Sequence, residues 1–428
     1  MVQADWHGLS FEDIDLRLCT WCGTCIAACP VDALAWRPSG GAQDAADEAI
    51  TFDRETCVDC GLCYAVCPPE SPLGVGLPDS ADPFIGPYTS LGRAYAGDPA
   101  VREAGSAGGA VTALLLSALD QDLIDGALVV TSHPDDPTRP QVVVARTPEA
   151  IRAAAQSKYC LAPVNALLSK VRGEEGRLAV VALPCQAHGI RLAQELNLAI
   201  TQRVSLIIGI FCGFNIAYRG TVYLLSKLGM HPGEVVTLEH RGGAWPGGFR
   251  AVTRDGREGF IPKHQYTYVH LMYAPEGCLY CPDLAAEYAD VSVGDYWVGN
   301  ARGYSMIIGR TVPGQALLAE AASRGDVVVE GIPYDEVLAS HGHLLTYKKK
   351  GVQVRRSLAR LSPTKGYPLP SLATKDWVSS SLFYGLIRLS SGRLGRWAIG
   401  SLPLGLTGQL SARGRTLFRA RKRQIESK

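Results

Sequence analysis

Between residues 100 and 340 two hydrophobic patterns alternate along the chain. Short unbroken apolar runs, ALVVTS (127–132), QVVVART (141–147), LAVVALP (178–184), SLIIGIF (205–211) and SMIIGRT (305–311), predict buried strands. Between them lie segments that predict helices: AVTALLLSALDQDL (110–123), PEAIRAAAQ (148–156), HGIRLAQEL (188–196), YRGTVYLLSKLG (218–229) and GQALLAEAASRG (314–325), the last ending at a glycine. FRAVTRDGREGFI (249–261) predicts a hairpin turning at Asp255-Gly256. Strands and helices in succession predict an α/β domain with a mainly parallel or mixed sheet, interrupted by the hairpin. Beyond about residue 345 the pattern becomes basic and irregular.

The first 70 residues follow another rule. CTWCGTCIAACP (19–30) and CVDCGLCYAVCP (57–68) repeat the pattern C-x2-C-x2-C-x3-C-P at an offset of 38 residues. Four thiolates must converge on a [4Fe–4S] cluster, and these spacings let one loop supply three while the fourth comes from the other motif. Cys19, Cys22, Cys25 and Cys67 are therefore assigned to one cluster, and Cys57, Cys60, Cys63 and Cys29 to a second. Zinc needs only two cysteine pairs and gives no reason for this doubled motif. SGGAQDAADEA (39–49) reads as a surface loop between the two halves. The predicted organisation is an α+β ferredoxin-like domain (1–70), a Pro/Gly-rich linker (71–87), the α/β domain (88–345) and a basic C-terminal extension (346–428).

Composition sharpens this picture. The chain is 47% hydrophobic and 19% charged, which suits a globular core. The N-terminus MVQADWHGLSFEDID has no basic n-region and no apolar run, so no export signal is expected and the thiols are expected in a reducing cytoplasm. No apolar run approaches the 18 or so residues of a membrane span. From Trp377 onward ten Lys and Arg face one acid, Glu426, so an acidic body carries a basic tail. The tail mixes Trp, Phe and Leu with Arg. Two partners suit it equally, an anionic membrane face or an acidic protein, and a solvated tail is the plain alternative.

Five cysteines remain. Cys185 and Cys212 end predicted strands, where α/β sheets place their sites. Cys278 and Cys281 form the loop pair GCLYCPD. Together these four suffice for a third cluster, and equally for a zinc site or buried free thiols. Cys160 reads as a small core residue. The turn GSAGGAVTALL (105–115) offers helix N-terminal amides to a phosphate, although tight helix packing explains it as well. EHRGGAWPGGFR (239–250) sets Arg241 and Trp245 in a loop that suits the wall of a flat aromatic cofactor or an ordinary exposed turn. DVSVGDYWVGN (290–300) places Asp295 and Trp297 just after the second cysteine pair. No nucleophile–base arrangement or paired carboxylate stands out, and no nucleic-acid partner is expected.

GGAVTALL, SKYC, LPCQAHGIR, IGIFCGFN, HRGGAWPGG, GCLYCPDLAAEYADVSVGDYW and GYSMIIGRTVPG occur in this order between about residues 85 and 340. Together they resemble the family of coenzyme F420 hydrogenase/dehydrogenase beta subunits, to which a double-cluster ferredoxin module is often joined. The resemblance implies FAD in the α/β domain, with contacts around Gly108, Gly109, Thr112, Ser157, Lys158, Tyr159, Arg241 and Trp245. It also implies a third [4Fe–4S] cluster on Cys185, Cys212, Cys278 and Cys281. Many relatives carry Ser or Asp where this chain has Ala107. The implied activity is oxidation or reduction of coenzyme F420, with hydride passing to FAD and single electrons passing through three clusters to or from a protein partner. That partner is a ferredoxin, a hydrogenase or dehydrogenase, or a component of a respiratory complex. Hydride transfer by FAD needs no side-chain base, and Lys158 and Arg241 are the expected neighbours of phosphate or reduced-flavin charge. The rival readings are a ferredoxin-dependent flavoprotein reductase of an organic substrate such as a tetrapyrrole, and an electron-transfer protein with no substrate of its own.

Overall fold

The computed structural model describes residues 6–39, 48–71, 73, 75–299, 303–403 and 405–409. Most of the loop expected at 39–49 and the basic stretch RGRTLFRARKRQ (413–424) lie outside the described residues.

The N-terminal unit repeats itself in structure as it does in sequence. Each cysteine run has one non-glycine residue at positive φ, Trp21 and Asp59, then a left-handed glycine, Gly23 and Gly61, then a short helix, Thr24–Ala28 and Leu62–Ala65. Only these backbone conformations fold three cysteines around one point, and glycine takes them without strain. Strands β1 (Leu34–Arg37) and β2 (Ala49–Phe52) pair antiparallel behind the runs, with Leu34 opposite Phe52.

The body is built on β3 (Ser90–Ala96), β4 (Gly126–Ser132), β5 (Pro140–Ala145), β6 (Leu178–Ala182), β7 (Val204–Ile210), β8 (Val235–Gly242), β9 (Gly248–Thr253), β10 (Glu258–Pro262), β11 (Val291–Asp295), β12 (Ser305–Gly309) and β13 (Val327–Gly331). Eight of them form one sheet in the order β13-β3-β12-β11-β7-β6-β4-β5. Its centre, β11-β7-β6-β4, is parallel, and every other neighbour pairs antiparallel. The sheet is thus mixed. The hairpin does not interrupt it, because β8, β9 and β10 make a separate antiparallel sheet. The apolar runs of β4, β6 and β7 are buried on both faces, as parallel strands require. One face packs Leu114 and Ala118 of the helix Ala110–Asp120 with Leu317 and Ala321 of the helix Val312–Ser323. The other packs Ala187 and Ile190 of the helix Pro184–Glu195 together with Ala27, Ala28 and Val66 of the N-terminal unit.

Two expectations need correction. Residues beyond 345 are not irregular: the helix Tyr334–Leu358 runs through that position, and Thr374–Ser391 and Arg393–Ser401 follow. The expected linker is not free either, since Ile85 is fully buried and Arg310 donates to the carbonyls of Ile85 and Pro87 at 2.8 and 2.7 Å.

Candidate functional site

The eight cysteines of the doubled motif line two pockets, four in each, and Cys185, Cys212, Cys278 and Cys281 are electrostatic neighbours at the end of the parallel strands. A pocket in the N-terminal unit is lined by Cys19, Cys22, Cys25 and Cys67 with Phe11, Ile14 and Ile50. A second is lined by Cys29, Cys57, Cys60 and Cys63 with Leu34 and Phe52. In each, three cysteines come from one run and the fourth from the other. Hydrogen bonds to sulfur are in place: the Ala33 amide donates to Cys29 Sγ at 3.2 Å, and Thr24 Oγ1 lies 3.3 Å from Cys22 Sγ.

The third group forms at the carboxyl end of the parallel strands. Cys185 lies in the first turn of the helix after β6, and Cys212 follows β7, its amide donating to the Leu284 carbonyl at 2.8 Å. Cys278 and Cys281 come from the turn that begins with the helix Glu276–Leu279. Cys185 is an electrostatic neighbour of Cys281 and Cys212, and Cys212 of Cys278 and Cys281. Burial pushes the bare thiols of Cys19, Cys63 and Cys212 up to about 12. Among the described residues no three His, Cys, Asp or Glu side chains are close enough to share a single metal ion. The four thiols of each N-terminal group instead surround a void. Cys160 is buried apart from all three groups.

The groups stand in series. Cys185 neighbours Cys22, and Cys19 neighbours Cys278, which joins the body set to the first N-terminal set. Cys25 neighbours Cys63, which joins that set to the second. Glycines close the seam. A Cβ on Gly277 would stand 2.2 Å from the Cys19 carbonyl oxygen, and one on Gly189 would stand 2.2 Å from Thr24 Oγ1. Asn165 donates to Thr24 Oγ1 at 2.8 Å, and its amide donates to the Cys22 carbonyl at 3.2 Å.

Three of the residues expected around a flavin, Tyr159, Arg241 and Trp245, lie together at the end of β11. Arg241, at the end of β8, is buried and donates to Asp295 Oδ2 at 2.9 Å, Tyr159 Oη at 3.2 Å, the Ser106 carbonyl at 2.8 Å and the Pro246 carbonyl at 2.8 Å. Lys263 Nζ reaches the same Asp295 oxygen at 3.1 Å. Burial acts to raise the Asp295 carboxyl, but Lys263 and Arg241 outweigh it and hold its pKa below the ordinary carboxylate value. The same two cations hold the Tyr159 hydroxyl below the ordinary tyrosine value against the effect of its burial. The indoles of Trp245 and Trp297 face each other at 4.8 Å, with the Arg241 guanidinium 5.2 Å from the first and Lys263 Nζ 4.6 Å from the second. Trp297 remains 40% exposed, which leaves an aromatic surface open beside two cations.

Other expected contacts are already committed within the chain. Lys158 Nζ donates to the carbonyls of Ala154, Ala155 and Gln156 at the end of the helix Pro148–Ala153, and burial pulls its pKa down to about 8. Ser157 Oγ bonds Ser106 Oγ at 3.1 Å. The Gly108 amide donates to Ser305 Oγ, and a Cβ there would stand 2.4 Å from the Ala94 carbonyl. Close packing against β3 therefore accounts for this glycine. Gly109 is left-handed and caps the helix Ala110–Asp120, whose first turn carries Thr112. Sequence reasoning missed Lys263, in IPKHQY, and Ser106; no spacing marks either.

Comparison with known proteins places the chain in a family. Residues 18–71 match the 4Fe-4S dicluster domain, and residues 92–169 and 175–334 match the N-terminal and C-terminal domains of the coenzyme F420 hydrogenase/dehydrogenase beta subunit. The beta subunit of the coenzyme F420 hydrogenase of Methanothermobacter thermautotrophicus is 32% identical over 294 residues, covering 67% of this chain and 99% of the relative. A component of the F(420)H(2) dehydrogenase of Methanosarcina mazei is 27% identical over 343 residues, covering 79% of this chain and 92% of the relative. A chain of the F420-reducing [NiFe] hydrogenase complex from Methanosarcina barkeri superposes with a TM-score of 0.54 at 25% identity, covering 68% of this chain and 99% of that one. The ferredoxin-type unit, the mixed α/β sheet and these matches agree, and the chain belongs to the family of coenzyme F420 hydrogenase/dehydrogenase beta subunits, which are iron–sulfur oxidoreductases.

Proposed function

We propose that this chain exchanges electrons between coenzyme F420 and a protein partner, with FAD and three [4Fe–4S] clusters as its resident groups. The observation that carries this reading is the pair of four-cysteine pockets in the N-terminal unit, with Cys185 and Cys278 of the later set beside the first of them. Cys185, Cys212, Cys278 and Cys281 hold the inner cluster. Cys19, Cys22, Cys25 and Cys67 hold the middle one, and Cys29, Cys57, Cys60 and Cys63 the outer one. The voids bounded by thiols too widely set for a single ion suit multi-iron clusters better than zinc. When bound, a flavin takes hydride as a pair of electrons and releases them singly to iron–sulfur clusters.

The chain's own residues prepare that chemistry. Asp295 fixes Arg241 and Lys263, so a positive field is present without a mobile side chain. Trp245 and Trp297 supply a flat apolar wall that excludes water on one side. Tyr159, kept acidic by two cations, holds or releases a proton at Oη close to that wall. Arg241 acts through its field and its hydrogen bonds to the chain rather than as a free phosphate ligand. The partner docks beside the outer set, where Val58 is 59% exposed.

Coenzyme F420 is favoured as the two-electron substrate because it recurs in the names of relatives with different acceptors. These include a coenzyme F420-dependent sulfite reductase of Methanocaldococcus jannaschii, 31% identical over 268 residues, covering 59% of this chain and 40% of that protein. The decisive experiment mixes the fully loaded chain anaerobically with reduced F420, with NADH or NADPH, and with reduced ferredoxin. Rapid bleaching of the flavin absorbance by reduced F420 alone is expected. Reduction by ferredoxin but not by reduced F420 replaces this reading with that of a ferredoxin-dependent reductase.

The C-terminal helices carry a second part of the proposal, contact with an anionic membrane face. Val378, Leu382, Leu386 and Leu389 are each more than half exposed and lie along the side of the helix Thr374–Ser391 opposite the buried Ile387. Leu394 and Trp397 continue the apolar surface at 83% and 74% exposure, beside Arg393 and ahead of the basic tail. No helix among the described residues is long and apolar enough to cross a membrane, so the surface lies on the bilayer rather than spanning it. Salt-sensitive binding to phosphatidylserine vesicles, lost on truncation after Asp376, is expected. Absence of binding at low salt removes the membrane from the proposal.

A further inference from the structure

Three consecutive lysines occupy the middle of the buried helix Tyr334–Leu358. Lys349 pairs with Glu287 at 2.6 Å, and Lys350 with Asp376 at 3.1 Å. Lys348 has no such partner: among the described residues no carboxylate stands within ion-pair distance of it. Its side chain is nonetheless buried, with Nζ donating to the Cys278 carbonyl at 3.3 Å and lying 5.3 Å from the centre of the Phe214 ring. An ammonium taken out of water without a counter-charge is strongly disfavoured. The groups able to carry negative charge around it are, in order of effect, the sulfurs of Cys281, Cys212 and Cys278 and then the Tyr347 hydroxyl, and a phenol is the weakest acid among them.

The same helix face repeats the contact two turns later. Arg355 donates to the Leu279 carbonyl at 2.6 Å, and Arg356 to the Tyr280 carbonyl at 3.5 Å. Three successive carbonyls of the Cys278–Cys281 turn thus receive three buried cations in order. Spacings of seven and eight residues return a helix to the same face, so one rigid element delivers all three.

We propose that Lys348 is the built-in counter-charge of the inner four-cysteine site and that, with Arg355 and Arg356, it forms a cationic clamp raising the reduction potential of the cluster held there. The inference rests on the assignment of a third cluster to that site. Four thiolates around a [4Fe–4S] core leave a net negative charge, and reduction adds one more electron without adding a proton. A fixed positive charge in a water-poor surround stabilises the reduced form more than the oxidised one. The clamp holds the turn through its carbonyls, so it acts on the cluster through charge and position, and Lys348 is a positioning residue rather than a ligand.

The test is a mediated redox titration followed by EPR, on the full anaerobically loaded chain, with iron counted in each sample. Wild type is expected to hold about twelve irons and to show three reducible centres. In Lys348→Met one centre shifts to a lower midpoint while the other two stay. Lys348→Arg, which keeps the charge, retains the wild-type midpoint or moves it much less. Loss of about four irons in Lys348→Met but not in Lys348→Arg also supports the counter-charge. Lys350→Met, which breaks a pair away from the cysteines, moves none of the three. The proposal is overturned if fully loaded Lys348→Met keeps all three midpoints. It is equally overturned if the Met and Arg variants lose the centre alike, since shape rather than charge would then be at work. A wild-type chain with about eight irons and two centres sinks the third-cluster assignment itself, a result distinguishable from either of these.

Discussion

Asp295 holds together side chains from four parts of the chain. It receives Arg241 and Lys263, and through Arg241 it fixes Tyr159, Ser106 and the loop at Pro246. The Arg241 side chain is 1% exposed, so removal of its carboxylate leaves a buried charge unpaired. Asp295→Asn is expected to destabilise the fold by about 3–5 kcal/mol in chemical denaturation. The folded carboxyl lies below its unfolded value, so its stabilisation is complete above about pH 4 and is lost as pH falls through the folded value. The asparagine variant should therefore lose less stability than wild type between neutral pH and the acid limb. An unchanged acid limb would show that Asp295 does not titrate with folding. Asp295 and Trp297 drew notice in the sequence only because they follow the cysteine pair. Lys263 did not, because its partner lies 32 residues away and no local spacing records such a contact.

At the scale of elements, the strands of the parallel centre were legible because burial on both faces leaves nothing but apolar runs. The helix Tyr334–Leu358 was not, and the reason is physical. Its buried face reads Leu345, Lys348, Lys349, Val352, Arg355 and Arg356, so cations sit where an amphipathic pattern would place leucines. They are tolerated because each meets a carbonyl, a carboxylate or the cysteine site. A hydropathy pattern registers their charge and not their partners, and so the segment beyond residue 345 reads as basic and irregular. Lys349 and Glu287 show what this arrangement implies: both side chains are fully buried and paired at 2.6 Å. Glu287→Gln alone should destabilise the chain by about 3–5 kcal/mol, by stranding Lys349. The double change Glu287→Leu with Lys349→Met should recover most of that loss, because it removes both charges at similar volume. Equal melting temperatures for the single and double variants would show that the pair acts through shape alone.

For the whole molecule, the cysteine spacing is silent on how the N-terminal unit sits on the body. Among the described residues its own elements are two strands of four residues and helices of three to five, too little to bury a large core. Ala27, Ala28 and Val66 are instead spent in the second core of the main sheet. Chelation of iron should accordingly loosen this unit first. Hydrogen exchange across residues 16–38 and 49–70 is expected to rise after metal removal, while β4, β6 and β7 stay protected. Uniform loss of protection would mean that the whole body depends on the metal.

The seam at Gly277 has a consequence for traffic. A ferredoxin on a flexible tether can swing between a donor and an acceptor, and its rate is set by the tether. Here a peptide oxygen of one unit fills the place where a side chain would begin on the other. On the proposed electron path the carrier is therefore soldered to its reactor, and turnover would depend on which partner arrives at the outer face and how long it stays. A single methyl group at position 277 would then act as a spacer in the circuit, widening a gap that no swing of a tether can close.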